Sequence, residues 1–181
     1  MDLFDAINQR HSYRGPFLDR PVPREDLRRI VEAGIRAPSA KNAQTTTFVI
    51  VDDPELVQRI GRMHERMVAM QQARAFIACV VDRTPEGIVE HHHFQFEDCA
   101  AAVENMLLAV TAMGYATVWV DGWLRLNRRA EIIGELLGLP GSKALRVLLP
   151  IGLPAESWPP RERKPFAERA WFNGYGMTEQ Q

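Results

Sequence analysis

Apolar residues recur along this chain in two rhythms, one helical and one of short β-branched runs. Leu3, Phe4 and Ile7 share one face of a short helix expected over 2–9. Leu27, Ile30, Val31 and Ile35 keep helical spacing and predict a second helix over 24–36, with Pro23 near its first turn and Pro38 as its stop. TTFVIV (46–51) is apolar and β-branched, as a strand requires. Asp52, Asp53, Pro54 and Glu55 then open a helix, with a carboxylate cap and negative charge at the positive end of the dipole. Its stripe, Leu56, Val57, Ile60, Met63, Met67 and Met70, predicts one unbroken core-facing helix.

The second half continues the alternation. FIACVV (76–81) lacks polar positions and predicts a strand buried on both faces. The polar segment 82–93 reads as an exposed loop. A long helix follows over 95–113, with Cys99, Ala102, Val103, Met106, Leu107 and Val110 facing inward and Gly114 ending it. YATVWV (115–120) predicts another strand, Asn127 the cap of a helix ending near Leu137, and ALRVLLPIG (144–152) the last strand. From Leu153 the periodicity fades and prolines accumulate, yet Trp158, Phe166, Trp171, Phe172 and Tyr175 remain. A segment that rich in aromatics is expected to pack on something. The reading is one α+β domain over 1–181, with 153–181 an extended C-terminal arm on a partner subunit.

Composition narrows the function. The 181 residues suffice for a single core, and a net charge of −1 gives no general affinity for nucleic acid or a membrane surface. No apolar run approaches the roughly eighteen residues of a membrane span, and the acidic start MDLFD is unlike a secretory signal. A soluble, cytoplasmic protein is expected. Cys79 and Cys99 have no metal-binding spacing and read as buried small hydrophobes.

Three polar clusters carry candidate chemistry. Arg10, His11, Ser12 and Arg14 gather two guanidinium forks and a hydroxyl within five residues, a set suited to phosphate oxygens. Arg161, Arg163 and Lys164 form a second basic group near the other end of the chain. Between a predicted helix and strand, Pro38, Ser39, Lys41, Asn42 and Gln44 combine small residues with donors and acceptors, so a planar ligand can approach the backbone.

Taken in order, these segments resemble the nitroreductase family. RHSYR is similar to its Arg-Arg-Ser-x-Arg opening, and APSAKNAQ to its Pro-Ser-x-x-Asn-x-Gln loop. EDCAAAVENMLLAVTAMGYATVWVDG resembles its long central helix and Gly-x-x-x-x-Trp strand. VLLPIGLPAE and RERKPFAERAWFNG resemble its last strand and basic arm. The resemblance implies an α+β nitroreductase-like fold, a central mixed or antiparallel β-sheet surrounded by helices, in an intertwined homodimer. It implies FMN as cofactor and NADH or NADPH as reductant, with hydride passed by a ping-pong mechanism to a small acceptor such as a nitroaromatic or quinone. The alternative is a flavin-binding or sequestering protein of low turnover.

Carried over by position, Arg10, His11, Ser12 and Arg14 would hold the flavin phosphate and ribityl chain, completed by Arg161 and Arg163. Pro38, Ser39, Asn42 and Gln44 would reach the flavin from the other subunit. Backbone around Thr117, Val118 and Trp119, with Gly122, would line the ring. No catalytic side chain is implied, because the flavin carries the chemistry. Two departures stand out: His11 replaces a second basic residue, and Thr45–Thr46 replace a common Pro-Trp pair. The family's pyrimidine-edge contact falls within 64–67. His91, His92 and His93, being adjacent, do not share a face and do not read as a metal site; they belong to a solvated loop that in the family can border the active-site mouth.

Overall fold

The computed structural model describes residues 1–177; the last four residues of the predicted arm lie outside the described residues. Its frame is an antiparallel sheet in the order β1 (Thr47–Val51), β2 (Ala75–Asp82), β3 (Lys143–Ile151). Among the described residues six α-helices surround it: α1 (Leu3–Gln9), α2 (Arg24–Ile35), α3 (Pro54–Arg62), α4 (Val68–Gln71), α5 (Gln95–Ala112) and α6 (Arg129–Leu136). The carboxylate cap expected before α3 forms at Asp53, and Asp2 caps α1 in the same way. Asp2 accepts from Asp5 N and Asp53 from Leu56 N, each at 2.9 Å.

The central strand β2 is buried on both sides, as its unbroken apolar run predicts. Ala75, Ile77, Cys79 and Val81 face α2 and α5, together with Val147, Leu149 and Ile151 of β3. Phe76 and Ala78 face the opposite core, with Ile60, Met70, Leu124 and Ile133. Cys79 and Cys99 are free and buried where that first layer meets α5. Contact with the Cys99 thiol and burial hold Cys79 well above the usual thiol range, so it is an uncharged packing group.

Three expectations are corrected. The methionine stripe does not lie on one helix. The chain breaks after Arg62 and resumes as α4, because His64 Nδ1 accepts from Met67 N at 3.1 Å and Gln71 Nε2 donates to His64 O at 2.9 Å. Gly61 permits the fold-back, since a Cβ there would meet the Met70 carbonyl oxygen at 2.6 Å.

The segment 115–120 is not a continuous strand. Among the described residues it makes two isolated bridges, Val120–Leu148 in β3 and Ala116–Gly152 one residue past its end. In that register Val118 faces Pro150, which has no N–H to donate, so the ladder is interrupted where the pattern of apolar residues predicts it should run. The third correction concerns α6, which Asn127 does not cap. Asn127 and Arg128 both take left-handed backbone conformations, and Arg128 occupies the cap position without a side-chain hydrogen bond.

Candidate functional site

Arg10 terminates α1, and the loop that follows is pinned at its centre. Tyr13 N donates to Thr117 O at 2.9 Å, which joins the Arg10–Arg14 cluster to the 115–122 segment. The carbonyl that Pro150 leaves free of the sheet is thus one residue from the carbonyl that holds this loop. Tyr13 itself is buried against Phe17 and Trp158, with ring centroids 5.4 and 5.3 Å away. Glycines make this packing possible. A Cβ on Gly152 would meet Phe17 at 2.5 Å, and one on Gly15 would meet Tyr13 at 2.9 Å and Trp158 at 3.2 Å.

Around that hinge the polar groups are incompletely used. His11 has a ring nitrogen, Nδ1, 2.8 Å from Gln9 O. A carbonyl only accepts, so Nδ1 carries the proton. The other nitrogen, Nε2, is buried with no partner among the described residues, and so is Thr117 Oγ1. Two orphaned polar atoms, one on each side of the Tyr13–Thr117 bond, suit a ligand rich in hydroxyls. Arg10 pairs with Glu104 of α5 at 3.4 Å, and among the described residues Arg14 reaches only Ser12 O, at 3.2 Å. Val118 is buried, Trp119 is half-buried, and Gly122 opens on free space.

The Pro38–Gln44 loop is built differently. Ser39 Oγ accepts from Gln44 N at 3.0 Å, and Gln44 Nε2 donates to Asn42 O at 3.3 Å. Lys41, Asn42 and Gln44 all adopt positive φ, at 47°, 55° and 50°. Such conformations are costly for non-glycine residues and persist only where the surroundings impose them. Here the constraint is Asp98 in the first turn of α5. Its two carboxylate oxygens accept from Ala40 N at 3.1 Å and Thr45 Oγ1 at 3.0 Å. In the sequence Asp98 is simply an acidic residue in the first turn of a helix, where the dipole alone would account for it, and nothing there hints at the loop it holds. Pro38, Ser39 and Gln44 line a cavity of about 340 Å³ that continues to Gly34, Phe48 and Ala102.

The two halves of the predicted site lie apart within one chain. The Pro38–Gln44 loop leads into β1, at one edge of the sheet, whereas 115–122 lies beyond β3 at the other. Arg161 and Arg163 are exposed on the arm. The root of that arm is held at the first cluster, where Ala155 N donates to Pro16 O at 2.9 Å and Trp158 covers Tyr13. Of the arm's other aromatics, Phe166 packs on Phe172 and Trp171 on Tyr175. Phe166, Phe172 and Tyr175 stay exposed.

A feature no motif announces lies at the break before α4. His64 stacks on Trp123 with ring centroids 4.8 Å apart, and Arg129 covers the same indole at 4.7 Å. The 64–67 segment, where the pyrimidine-edge contact is expected, is thereby tied to the turn that follows Gly122. Burial, reinforced by Arg129, pushes the His64 imidazole below its usual pKa. His91, His92 and His93 are exposed, and the described residues contain no grouping of three or more His, Cys, Asp or Glu able to hold a metal ion.

The profile of the Nitroreductase family matches residues 7–153, most of the chain and both halves of this site. The chain belongs to the nitroreductase family. A relative from Methanothermobacter thermautotrophicus, provisionally named NADH dehydrogenase/NAD(P)H nitroreductase, is 32% identical over 157 residues, covering 87% of this chain and 80% of its own. The FMN reductase [NAD(P)H] of Bacillus subtilis is 28% identical over 179 residues, covering 91% and 70%. Among solved structures, a protein from Desulfovibrio desulfuricans in complex with FMN superposes with a TM-score of 0.76 at 30% identity, covering 97% of this chain and 98% of that one. This nitroreductase-family chain has no helix among its described residues that is long and apolar enough to cross a membrane.

Proposed function

We propose that this chain is an FMN-dependent NAD(P)H oxidoreductase that works as a homodimer and reduces small electrophilic acceptors of the nitroaromatic or quinone class. The observation that carries the reading is the Tyr13 N–Thr117 O bond, which sets the Arg10–Arg14 cluster against the 115–122 segment with His11 Nε2 and Thr117 Oγ1 unpartnered. Family membership supports the cofactor and the reductant, and a relative of similar sequence was solved with FMN bound. When bound, FMN supplies the hydride chemistry, taken from NAD(P)H and passed on in a ping-pong sequence.

The chain's own residues supply position and charge. Arg10 and Arg14 hold the phosphate, and Arg161 and Arg163 complete the site from the arm. Each charge-assisted contact contributes on the order of 1.5–3 kcal/mol. His11 and Ser12 take ribityl hydroxyls, and backbone groups at Thr117–Trp119 and Gly122 offer hydrogen bonds to the edge of the ring, where negative charge grows on reduction.

A second copy of the chain completes the site. Three strand spacings, about 14 Å, separate the β1 edge from the 115–120 segment. Pro38, Ser39, Asn42 and Gln44 therefore serve the flavin held by the partner. Leu3, Phe4 and Ile7 of α1 and the aromatics of the arm are exposed in the single chain, as surfaces awaiting that partner would be.

The test is a visible spectrum of the purified protein followed by NADH and NADPH oxidation with menadione. A flavin band and quinone-dependent turnover are expected. No flavin band, with no recovery on adding FMN, would defeat the proposal. Full flavin occupancy with near-zero turnover would favour the sequestering alternative.

A further inference from the structure

Beneath the loop joining β2 to α5 lies a cavity of about 370 Å³ whose polar lining comes from Thr45, Asp82, Thr84, Glu86, His93 and Gln95. Its roof is a built element. Ile88 N donates to His92 O and His92 N to Val89 O, both at 2.8 Å, so the loop closes on itself as a small hairpin. Gly87 is required there, since a Cβ would meet the Glu90 carbonyl oxygen at 2.6 Å. The floor reaches Ala43 and Thr45, which directly flank Gln44 of the flavin-facing loop.

Some of the lining is already committed. The Asp82 carboxylate pairs with Lys143 at 2.7 Å, and the Thr45 hydroxyl is held by Asp98. Two groups are not. Gln95 is only 3% exposed, and its Oε1 accepts no hydrogen bond from the described residues. Glu86 has no ion-pair partner among the described residues and adds an uncompensated negative charge at the rim. A buried amide oxygen without a donor is costly, and a bound donor would relieve that cost. A carboxylate has only acceptors to offer and would meet Glu86 as a like charge.

We propose that this cavity seats a hydrogen-bond-donating end of the organic acceptor, a carboxamide or an ammonium, and turns carboxylates away. The inference rests on the oxidoreductase reading above and names the acceptor class that this chain's own residues select. Thr45 gives the cavity its connection to the flavin-facing loop, and Gln95 and Glu86 give it selectivity. None of the three is a catalytic residue.

The test uses flavin-loaded protein and three probes of nearly equal size: 4-nitrobenzamide, 4-nitrobenzylamine and 4-nitrobenzoate. Binding is read by calorimetry without reductant, and kcat/KM by NAD(P)H oxidation, at about pH 7.5, above the ordinary histidine pKa. The amide and the ammonium should each be preferred over the carboxylate by about tenfold in both readouts. Gln95→Leu should reduce the preference for the amide to roughly twofold, since the unpaired acceptor is gone. The exposed Glu86→Gln, which puts no packing at risk, should lower the preference for the ammonium about threefold and leave the amide unaffected.

Equal binding of the three probes, a ranking unmoved by both substitutions, or an effect confined to the KM for NAD(P)H would overturn the proposal. Menadione, which carries no donor, separates the two readings in the wild-type protein. Absent flavin and absent menadione reduction defeat the oxidoreductase reading, while the calorimetric ranking still decides the cavity.

Discussion

Arg146 Nη1 lies 2.6 Å from Asp121 Oδ1, and a bulge in β3 puts it there. Cys79 pairs with Val147 and Val80 with Leu145, so Arg146 is the extra residue between them. A bulged residue is released from the ladder and its side chain re-aimed. In this chain it crosses to the carboxylate that follows Val120, with the Phe96 ring 4.8 Å from the guanidinium carbon. Arg125 grips the same carboxylate at 2.7 Å. The turn entering Gly122 is thus fixed from both sides.

Asp121→Asn should therefore destabilise the protein by about 1–3 kcal/mol at pH 7, because two guanidinium groups lose their shared anion. Burial pushes the Asp121 carboxyl up, but Arg125 and Arg146 outweigh it and hold it below the usual range. A depressed folded pKa means the unfolded chain takes up the proton first. The carboxylate's contribution is complete above the ordinary aspartate pKa of about 3.9 and fades as the pH falls through the folded value. Thermal melts from neutral pH to about pH 3 check this. The gap between wild type and variant should narrow in acid; a constant gap would show that the pair carries no charge-dependent stability.

His64 carries a second pH dependence, at milder pH. Its Nδ1 accepts from Met67 N and lies 3.3 Å from Arg66 N, so protonation there would set donor against donor. The imidazole's folded pKa is depressed by burial and by Arg129, with Glu65 opposing. Stability from the neutral ring is complete above the unfolded histidine value of about 6.5 and is lost as pH falls toward the folded one. His64→Asn keeps an acceptor near that position and removes the titration. Urea melts at pH 7.5 and 5.5 should show the wild type losing more stability than the variant. Equal losses would mean that the stack on Trp123 does not sense the proton.

The secondary structure was largely legible because most of it follows local pattern. Helices α1, α2 and α5 and the strands β1 to β3 end within one or two residues of their predicted limits. The features that escaped depend on partners distant in sequence. Nothing near Val118 shows that Pro150 will stand opposite it; the break at His64 is the local exception, a side chain that takes up amides two and three residues on where the apolar stripe predicts an unbroken helix. Asp98, Arg146 and Gln95 read as ordinary helix and strand residues until the fold supplies Thr45, Asp121 and the 82–93 loop. The candidate site was legible as separate motifs, and the sheet order explains why one chain keeps them apart.

Gly152 is a place where a single methyl group should be felt. Its absent Cβ is the space that Phe17 occupies, at 2.5 Å. Gly152→Ala must displace a buried aromatic ring that itself supports Tyr13, and overpacking of this kind costs about 1–3 kcal/mol. Phe17→Leu in the same chain should recover part of the loss, since the smaller side chain leaves the new methyl room. A double-mutant cycle by urea unfolding reads the coupling. Strict additivity would place the strain somewhere other than the Phe17 ring.

Arg14 tests the phosphate assignment with the least structural risk. Its guanidinium is exposed and among the described residues reaches only Ser12 O, so truncation leaves no buried group there unpaired. Arg14→Ala should leave the thermal stability of the apoprotein nearly unchanged, as exposed substitutions usually do. FMN affinity should fall by about tenfold to a hundredfold, equivalent to one lost charge-assisted contact. Riboflavin, which has no phosphate, provides the control, and its affinity should be the same in both proteins. Fluorescence quenching titrations with the two flavins separate the alternatives. A parallel loss for FMN and riboflavin would move Arg14 away from the phosphate and toward the ring or ribityl chain.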